Sequence, residues 1–243
     1  MSGMLLAIDA GNTRVKWGLA DGAGWAERGA VPTAEAMRVG EDWRPLPSGT
    51  RAVVSNVAGL EVRAQIAEAC RKAGAETLFI ASHREQCGVA NGYIDHTQLG
   101  TDRWAAIIAA HREGSGNKLV VIAGTALTID ALSGDGRHLG GVIVPGPRLM
   151  RESLSRNTAA LKHTDGRFAE FPGTTPDAIT SGSVQACVGA ILRLHEAMAR
   201  SGHLPDRVIV SGGAAQELVA HLPFPAAFNE NLVLDGLVLI ANA

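Results

Sequence analysis

The sequence predicts an α/β protein that consists of two related domains, each with a mixed sheet flanked by helices. Three observations support this prediction. The chain has 243 residues, which is room for about 1.6 domains of ~150 residues. Strand-like apolar runs alternate with helical patterns along the chain. The second half repeats the opening of the first at an offset of 113 positions, which places Ala10-Gly11 on Ala123-Gly124.

The first half opens with a predicted β-hairpin. The apolar run at 4–8 indicates a strand, residues 9–13 a turn, and the alternating apolar residues at 15–19 a returning strand. The other elements predicted for this half are a strand at 51–57, a helix at 60–73, a strand at 77–81 and a short helix at 104–111.

The second half follows the same plan, with a strand at 119–122, a turn at 123–126 and a returning strand at 127–131. Further on, the pattern predicts a strand at 139–144, a long helix at 175–200, a strand at 207–210 and a helix at 216–221. We expect Thr175 to be the N-cap of the long helix, because Pro176 suits the first helical position. The Gly-Ser-Gly-Asn cluster at 114–117 places the boundary, so the predicted domains are residues 1–116 and 117–243.

Composition excludes several classes of protein. With 22 basic and 24 acidic residues the formal net charge is -2, so no charge excess draws the whole molecule to nucleic acid or an anionic membrane. No apolar run approaches the ~20 residues that span a bilayer, and no signal-peptide pattern precedes the first strand. We therefore expect a cytoplasmic protein with neither nucleic acid nor a membrane as a partner.

Cysteine and histidine usage argues against zinc and disulfide chemistry. The three cysteines, Cys70, Cys87 and Cys187, lie far apart, which favours ordinary interior residues in a reducing compartment. The eight histidines show no metal-ligand spacing, and no serine lies in a G-x-S-x-G motif. Hydrolase triads and zinc sites are therefore not expected.

The turn Asp9-Ala10-Gly11-Asn12-Thr13 is a candidate phosphate site, because its N–H groups and polar side chains can converge on one anion. Gly11 permits close approach of a phosphate, Lys16 can supply a point charge, and Asp9 can hold Mg²⁺ through water. The alternative is a plain hairpin turn whose Asp and Asn bind their own backbone. The similar turn at Gly124-Thr125 favours the phosphate interpretation, and we expect both turns to hold a nucleotide polyphosphate across a cleft.

The sequence Gly100-Thr101-Asp102-Arg103 precedes a helical pattern and is a candidate catalytic motif. A helix N-terminus and the neighbouring Arg103 favour the carboxylate form of Asp102. Such a carboxylate can accept the proton of a substrate hydroxyl, and Arg103 can bind a substrate carboxylate. An ordinary aspartate cap beside a surface arginine is the alternative.

Other glycine-rich segments have two interpretations each. Ser211-Gly212-Gly213 either admits a flat ligand such as adenine or forms a tight strand-to-helix turn. Gly140-Gly141 and Pro145-Gly146-Pro147 are either lid or hinge elements or simple bends. Tyr93, the only tyrosine, lies in a loop and either faces a ligand or is a half-buried surface residue.

Taken in order, these motifs resemble those of the type III pantothenate kinases, a family of the acetate and sugar kinase, Hsp70 and actin superfamily. The segment 9–17 resembles the first phosphate motif, 100–103 the substrate and catalytic motif, and 123–126 the second phosphate motif. The resemblance covers nearly the whole chain. It implies two ribonuclease H-like domains in an actin-like ATPase fold, and transfer of the ATP γ-phosphoryl group to pantothenate in the first step of coenzyme A biosynthesis.

The resemblance also implies roles for individual residues. Asp102 is the implied general base, and Mg²⁺ accompanies ATP. The implied pantothenate-binding residues are Tyr93, Gly100, Thr101, Asp102 and Arg103. The implied ATP-binding residues are Asp9, Ala10, Gly11, Asn12, Thr13, Arg14, Val15, Lys16 and Thr125.

A homodimer is implied as well, with Thr175 reaching the substrate of the neighbouring subunit. The long helix carries apolar residues that one small domain is not expected to cover, so we expect it at a two-fold interface. These residues are Ala178, Ile179, Val184, Ala186, Val188, Ile191 and Leu192.

One position departs from the family pattern. The family usually has an aspartate two residues before the glycine of the second phosphate motif, where it binds a monovalent cation, and this chain has Ile122. A K⁺ or NH₄⁺ requirement is therefore doubtful here.

Two alternative functions remain at this point. In the first alternative, the chain is another small-molecule kinase of the same fold. Arg103 argues against this, because it favours an acceptor with a carboxylate over a neutral sugar. Otherwise it is a regulatory protein that binds ATP without turnover, which the presence of Asp102 argues against.

Overall fold

A computed structural model describes residues 4–22, 24–43, 45–158 and 165–243. The strands are β1 (Leu5–Ala10), β2 (Arg14–Ala20), β3 (Trp25–Pro32), β4 (Arg51–Asn56), β5 (Glu76–Phe79), β6 (Glu85–Gln86), β7 (Val89–Ala90), β8 (Lys118–Ala123), β9 (Ala126–Leu132), β10 (His138–Pro145), β11 (Arg207–Ser211) and β12 (Ala227–Phe228). The α-helices are α1 (Leu60–Lys72), α2 (Thr101–Arg112), α3 (Pro147–Asn157), α4 (Thr175–Arg200), α5 (Ala215–Val219) and α6 (Leu232–Ala241). Short 3₁₀ helices occupy Thr33–Arg38 and His96–Gln98.

The chain forms two compact units. The first unit is Met1–Glu113 together with Asn231–Ala243, and the second is Gly114–Glu230. The predicted boundary at residue 116 lies close to the observed one. Residues 231–243 were predicted to lie in the second domain, whereas the structure places them in the first unit. These residues form α6, whose place depends on packing with elements distant in sequence.

The first unit contains a five-stranded sheet in the order β3-β2-β1-β4-β5. β1 pairs antiparallel with β2 and parallel with β4, so the sheet is mixed as predicted. One face packs into an apolar core with α1, through residues that include Leu6, Ile8, Val15, Ile66 and Cys70. Since side chains alternate along a strand, the residues between them lie on the opposite face.

Helices α2 and α6 pack against each other within the first unit, with α6 also contacting β1, β2 and β4. Gly236 of α6 makes this close packing possible, because a Cβ there would collide with the main-chain oxygen of Ala105 in α2. Residue 236 therefore requires glycine for close approach rather than for an unusual backbone angle.

The second unit repeats the sheet of the first. Its strand order is β10-β9-β8-β11-β12, in which β8, β9, β10 and β11 take the places of β1, β2, β3 and β4. This confirms the internal duplication. The second hairpin is one residue shorter, since Asp9 pairs with Lys16 in the first unit and Ile122 pairs with Thr128 in the second. Equivalent residues of the two units are therefore 113 positions apart before the turn (Asp9 and Ile122) and 112 positions apart after it (Lys16 and Thr128).

Helix α4 begins one residue earlier than predicted from an N-cap at Thr175. Thr174 is the N-cap, with extended backbone angles (φ -133°, ψ 157°), and its side chain accepts a hydrogen bond from Asp177 N. The Asp177 carboxylate in turn accepts a hydrogen bond from the Thr174 hydroxyl at 2.8 Å. The expectation of Thr175 as N-cap is corrected, because the adjacent threonine makes the capping contact and Thr175 is the first helical residue.

The apolar face expected on α4 is mostly covered by its own unit. Val184, Val188 and Ile191 belong to the core of the second unit, against the sheet. The exposed residues in the first part of the helix include the small residues Ala178, Gly182, Ala186 and Gly189, while polar residues such as Arg193 and Glu196 are exposed further along. The expectation that one domain leaves this apolar face uncovered is thus corrected for Val184, Val188 and Ile191.

Several elements were not predicted, among them β3, the β6–β7 hairpin, α3 and α6. No helix in the described residues is long and apolar enough to cross a membrane. All three cysteines are free thiols, with Cys70 and Cys187 buried. Cys87 departs from the expectation of an interior residue, because it is only half-buried and has a positive φ of 52° in the turn between β6 and β7.

Candidate active site

Three polar side chains lie side by side at one end of the first sheet. Asp9 is paired with Lys16 across β1 and β2, and with Ser55 across β1 and β4. Directly paired residues point to the same face of a sheet, and this face is opposite to the apolar core. The strands therefore bring a cation, a carboxylate and a hydroxyl into one row.

The turn that follows Asp9 is braced from outside. Gly11 N donates to Arg14 O at 3.1 Å, and the Thr33 hydroxyl donates to Gly11 O at 2.7 Å. Asn12 and Thr13 are exposed beyond this brace. Within the described residues, neither Asp9 nor Asn12 hydrogen-bonds the turn, so the plain-hairpin interpretation lacks the contacts it requires.

Not every residue of this predicted ATP motif presents its side chain. Ala10 and Val15 are fully buried in the core of the first unit. Only their main-chain atoms are therefore available to a ligand. The side chains that remain available are those of Asn12, Thr13 and Arg14, which are exposed, and of Lys16, which is partly exposed.

Asp9 has an unusual electrostatic environment. Its Oδ1 is buried and has no hydrogen-bond partner within the described residues. Burial, and then the charge of Asp102, raise the pKa of Asp9 from 3.8 to about 7, while Lys16 opposes the rise. A buried carboxylate oxygen without a donor fits a hydrated divalent cation, which supplies the compensating charge and donors.

The first turn of α2 holds Asp102 beside this row. The Thr101 hydroxyl lies 2.9 Å from Ser55 Oγ, and Asp102 Oδ1 accepts a hydrogen bond from Arg103 N at 2.8 Å. A Cβ at residue 100 would lie 2.7 Å from Asp102 Oδ1. Gly100 is therefore needed for the position of this carboxylate.

Tyr93 and Arg103 form a second part of the site. The buried Arg103 donates from Nη1 to the Tyr93 hydroxyl at 2.9 Å. Asn91 shapes the loop, because its Oδ1 accepts from Tyr93 N at 3.0 Å and its Nδ2 donates to His96 O at 3.2 Å. The lone tyrosine is thus fixed against the arginine that the sequence predicted to bind a carboxylate.

The second predicted phosphate turn lies in the second unit and is closed by main-chain contacts. Gly124 N donates to Ala126 O at 3.0 Å, and Gly146 N donates to Thr125 O at 2.9 Å. A Cβ at Gly146 would collide with Gly124 O, so Pro145-Gly146 packs directly behind the turn. Thr125 is thereby held in a rigid turn.

Two glycine motifs have structural explanations. Gly212 has a φ of +99°, and a Cβ there would collide with Ala123 O, so it forms the tight turn that the sequence analysis considered. The space at Gly213 is open. Gly140 has a φ of +119° at a bulge in β10, which makes it a bend.

The second unit has no carboxylate at the place of Asp9. Ile122 pairs with Thr128 and with Ser211, as Asp9 pairs with Lys16 and Ser55 in the first unit. The Thr128 hydroxyl is buried without a hydrogen-bond partner in the described structure. The row Thr128-Ile122-Ser211 therefore offers two hydroxyls and no charge.

Asp130, further along β9, is already engaged. Its Oδ1 lies 2.9 Å from His138 Nε2, and both side chains are buried. Asp130 is therefore not an obvious replacement for the missing carboxylate.

An open groove in the first unit lies away from these residues. It has a volume of about 450 Å³ and starts at the opposite end of β1, at the Leu5–Ala20 pair. None of the predicted site residues lines it. We therefore place the candidate site on the chemistry of the side chains and not on the size of this groove.

The structure brings together Asp9, Lys16, Thr101, Asp102 and Arg103 in the first unit, with Tyr93 against Arg103. Thr125 and Thr175 lie in the second unit. Sequence reasoning missed Ser55 and Asn91 as contributors. Ser55 carried a usable signal, because it is a polar residue near the end of an apolar strand, as Asp9 is.

Solved structures with similar folds include a Campylobacter jejuni protein provisionally named as a Baf family transcriptional activator (TM-score 0.63, 21% identity, covering 98% of this chain and 97% of that one). Another is MreB5 of Spiroplasma citri bound to ADP (TM-score 0.51, 11% identity, covering 99% and 97%). At these identities the likeness shows the fold alone. It confirms the predicted actin-like ATPase fold.

Sequence relatives are much closer. A type III pantothenate kinase of Nitrosospira multiformis is 44% identical over 245 residues, covering 99% of this chain and 92% of that protein. The type III pantothenate kinase of Aromatoleum aromaticum is 44% identical over 239 residues and covers 98% of both chains. The family model of type III pantothenate kinases matches residues 5–197. The chain belongs to the type III pantothenate kinase family.

Proposed function

We propose that Asp102 is the general base with which this chain transfers the γ-phosphoryl group of ATP to the primary hydroxyl of pantothenate. As an ATP-dependent pantothenate kinase, the enzyme catalyses the first step of coenzyme A biosynthesis. The observation that carries the assignment is electrostatic. Asp102 lies close enough to Asp9 for its charge to raise the pKa of Asp9, which supports placing the candidate base and the phosphate turn in one site.

The phosphate end of this site consists of the braced turn at 11–14, Lys16 and Asp9. Phosphoryl transfer requires mainly positioning and charge neutralisation from a protein. Lys16 supplies a point charge, and the main-chain N–H groups of the turn supply donors. Asp9 would hold Mg²⁺ through water, and the bound ion would neutralise charge on the phosphate oxygens.

The acceptor end consists of Asp102, Arg103 and Tyr93. Asp102 accepts the proton of the attacking hydroxyl, a role typically worth ~10² to 10⁴ in rate. The guanidinium of Arg103 has five N–H donors in a planar fork that suits a carboxylate. The Tyr93 hydroxyl orients this guanidinium through the 2.9 Å hydrogen bond. Gly100 and Thr101 complete the motif as main-chain and positioning elements.

Thr125 of the second unit holds the ATP phosphates in this proposal, through its rigid turn. Thr175 reaches the pantothenate of a neighbouring subunit in a homodimer. Two observations support this assembly: Thr175 is exposed at the start of α4, and the exposed residues in the first part of α4 include several small ones. Small residues allow the backbones of two helices to approach closely across a two-fold axis.

We also propose that the enzyme works without K⁺ or NH₄⁺. A cation at the second phosphate turn would need oxygen ligands to replace its hydration shell. Ile122 supplies none, and Asp130 is paired with His138. We propose a cytoplasmic location as well. The three free thiols support it, because free thiols are typical of a reducing compartment.

The test is ADP release by the purified protein with pantothenate, glucose or acetate as acceptor. We expect turnover with pantothenate, and at least a ~10²-fold lower kcat for Asp102→Asn with ATP affinity within a few-fold. Turnover with glucose or acetate alone would favour another kinase of the same fold. ATP binding without turnover on any acceptor would favour a regulatory protein. A wild-type rate for Asp102→Asn would refute the base assignment.

A further inference from the structure

Ser55 is a fully buried polar residue near the end of β4, and it makes one well-defined side-chain contact. Its Oγ lies 2.9 Å from the Thr101 hydroxyl, and either atom can be the donor. Ser55 is separated from Thr101 by 46 positions. The contact therefore joins the sheet to α2, two elements that are far apart in the sequence.

This contact acts on the N-terminal end of α2. The N-cap of α2 is Gly100, which has no side chain with which to cap the helix, and within the first turn Asp102 Oδ1 accepts a hydrogen bond from Arg103 N. A helix start normally relies on a capping side chain to satisfy its free N–H groups. Here the first helical residue, Thr101, is instead tied sideways to β4, and the next residue is Asp102.

The position of Asp102 is narrowly defined on its other sides. Its Oδ1 accepts from Arg103 N at 2.8 Å and would lie only 2.7 Å from a Cβ at residue 100. A small shift of the first turn would therefore carry the carboxylate with it. Misplacement of a catalytic group by about 1 Å can reduce a rate ~10²-fold.

We propose that Ser55 is a positioning residue that holds the first turn of α2 against β4 through the Thr101 hydroxyl, and so sets the place of the Asp102 carboxylate. The inference rests on the proposed role of Asp102 as general base. It also revises the expected role of Thr101. The hydroxyl of Thr101 serves the protein's own sheet, and its contribution to pantothenate binding is through position.

The experiment compares Ser55→Ala, Thr101→Val and Thr101→Ser in steady-state assays with ATP and pantothenate. Ser55→Ala and Thr101→Val each lose the hydrogen bond, and we expect kcat to fall about 10- to 100-fold while KM for ATP stays within a few-fold. Thr101→Ser keeps a hydroxyl and should restore most of kcat. The double variant Ser55→Ala/Thr101→Val should be no slower than the slower single variant.

Thr50→Val is the matched control. Thr50 is buried just before the other end of β4 and donates from its hydroxyl to Pro47 O at 2.7 Å. Its replacement removes a comparable hydrogen bond at the residue that precedes the same strand, at the end away from Asp102. We expect a similar fall in Tm and no change in kcat. If Ser55→Ala behaves as this control does, Ser55 has a structural role only and the inference is wrong.

The Asp102→Asn background separates this inference from the proposed function. If Ser55 acts through Asp102, adding Ser55→Ala to Asp102→Asn should leave the residual rate within about 2-fold. A further drop equal to that seen in the wild-type background would overturn the inference while the base assignment stands. If Asp102→Asn alone keeps the wild-type rate, the base assignment fails first, and the positioning role fails with it.

Discussion

Replacing Asp9 with asparagine should stabilise the fold at neutral pH while removing activity. The carboxyl of Asp9 has its pKa raised from 3.8 to about 7, first by burial and then by the charge of Asp102. A folded state that holds a proton more tightly than the unfolded state loses stability as pH rises between these two values. The loss begins near pH 4 and is nearly complete above pH 7. Asparagine has no such proton to release.

The size of the effect follows from the shift in pKa. One unit corresponds to ~1.36 kcal/mol, so a shift of roughly three units costs about 4 kcal/mol once Asp9 is ionised in both states. Part of that cost is already present at pH 5. Between pH 5 and pH 8 the wild type should therefore lose about 2–3 kcal/mol of unfolding free energy relative to Asp9→Asn.

Urea unfolding at pH 5 and pH 8, followed by tryptophan fluorescence, measures this difference, since the chain has four tryptophans. The exposed Asp42 supplies the control variant Asp42→Asn, which removes a carboxylate at the surface. If the stability difference between the wild type and Asp9→Asn agrees at the two pH values within about 0.5 kcal/mol, the buried-carboxylate argument is refuted. Kinase activity of Asp9→Asn should be lost at both values, because the variant lacks the carboxylate that would hold the metal ion.

Three further predictions concern other parts of the site. Gly100→Ala should lower kcat by about 10-fold or more with little change in KM for ATP, because the new Cβ would displace Asp102 Oδ1; unchanged kcat would show that the carboxylate tolerates the shift. Replacing K⁺ with a bulky organic cation at constant ionic strength should leave the rate within about 2-fold, because Ile122 offers no ligand; loss of activity would reveal a cation site elsewhere. Mixing inactive Asp102→Asn and Thr175→Arg proteins should restore activity above that of either parent, since exchanged dimers would hold one intact site; no recovery despite proven exchange would place Thr175 outside the partner's site.

The local features of this enzyme could be predicted from its sequence. The turn after Asp9 follows from an apolar run, small polar residues and a glycine, all within the ten positions 4–13. The second hairpin shows the same signal and was recognised as its repeat. The start of α2 could be placed near Asp102 for the same reason, since capping and turn preferences depend on neighbours in sequence.

Tertiary structure decided which of these local features meet. The row of Lys16, Asp9 and Ser55 exists because three strands pair in a particular register, and no local pattern specifies that register. The contact of Ser55 with Thr101 spans 46 positions, and the pKa of Asp9 depends on a charge 93 positions away, at Asp102. Long-range packing controls both.

The same distinction explains what the sequence determined wrongly or incompletely. Periodicity identified the apolar residues of α4, but only packing showed that Val184 and Val188 face their own sheet and leave small residues exposed. Helix α6 follows the second unit in sequence yet belongs to the first, because Gly236 lets it pack closely against α2. Sequence by itself determined the two phosphate turns, the strands that flank them and the chemical groups of this kinase, since those depend on short-range preferences. Only the fold determined which surfaces are buried and which groups share a site, because burial depends on contacts between residues far apart in the chain.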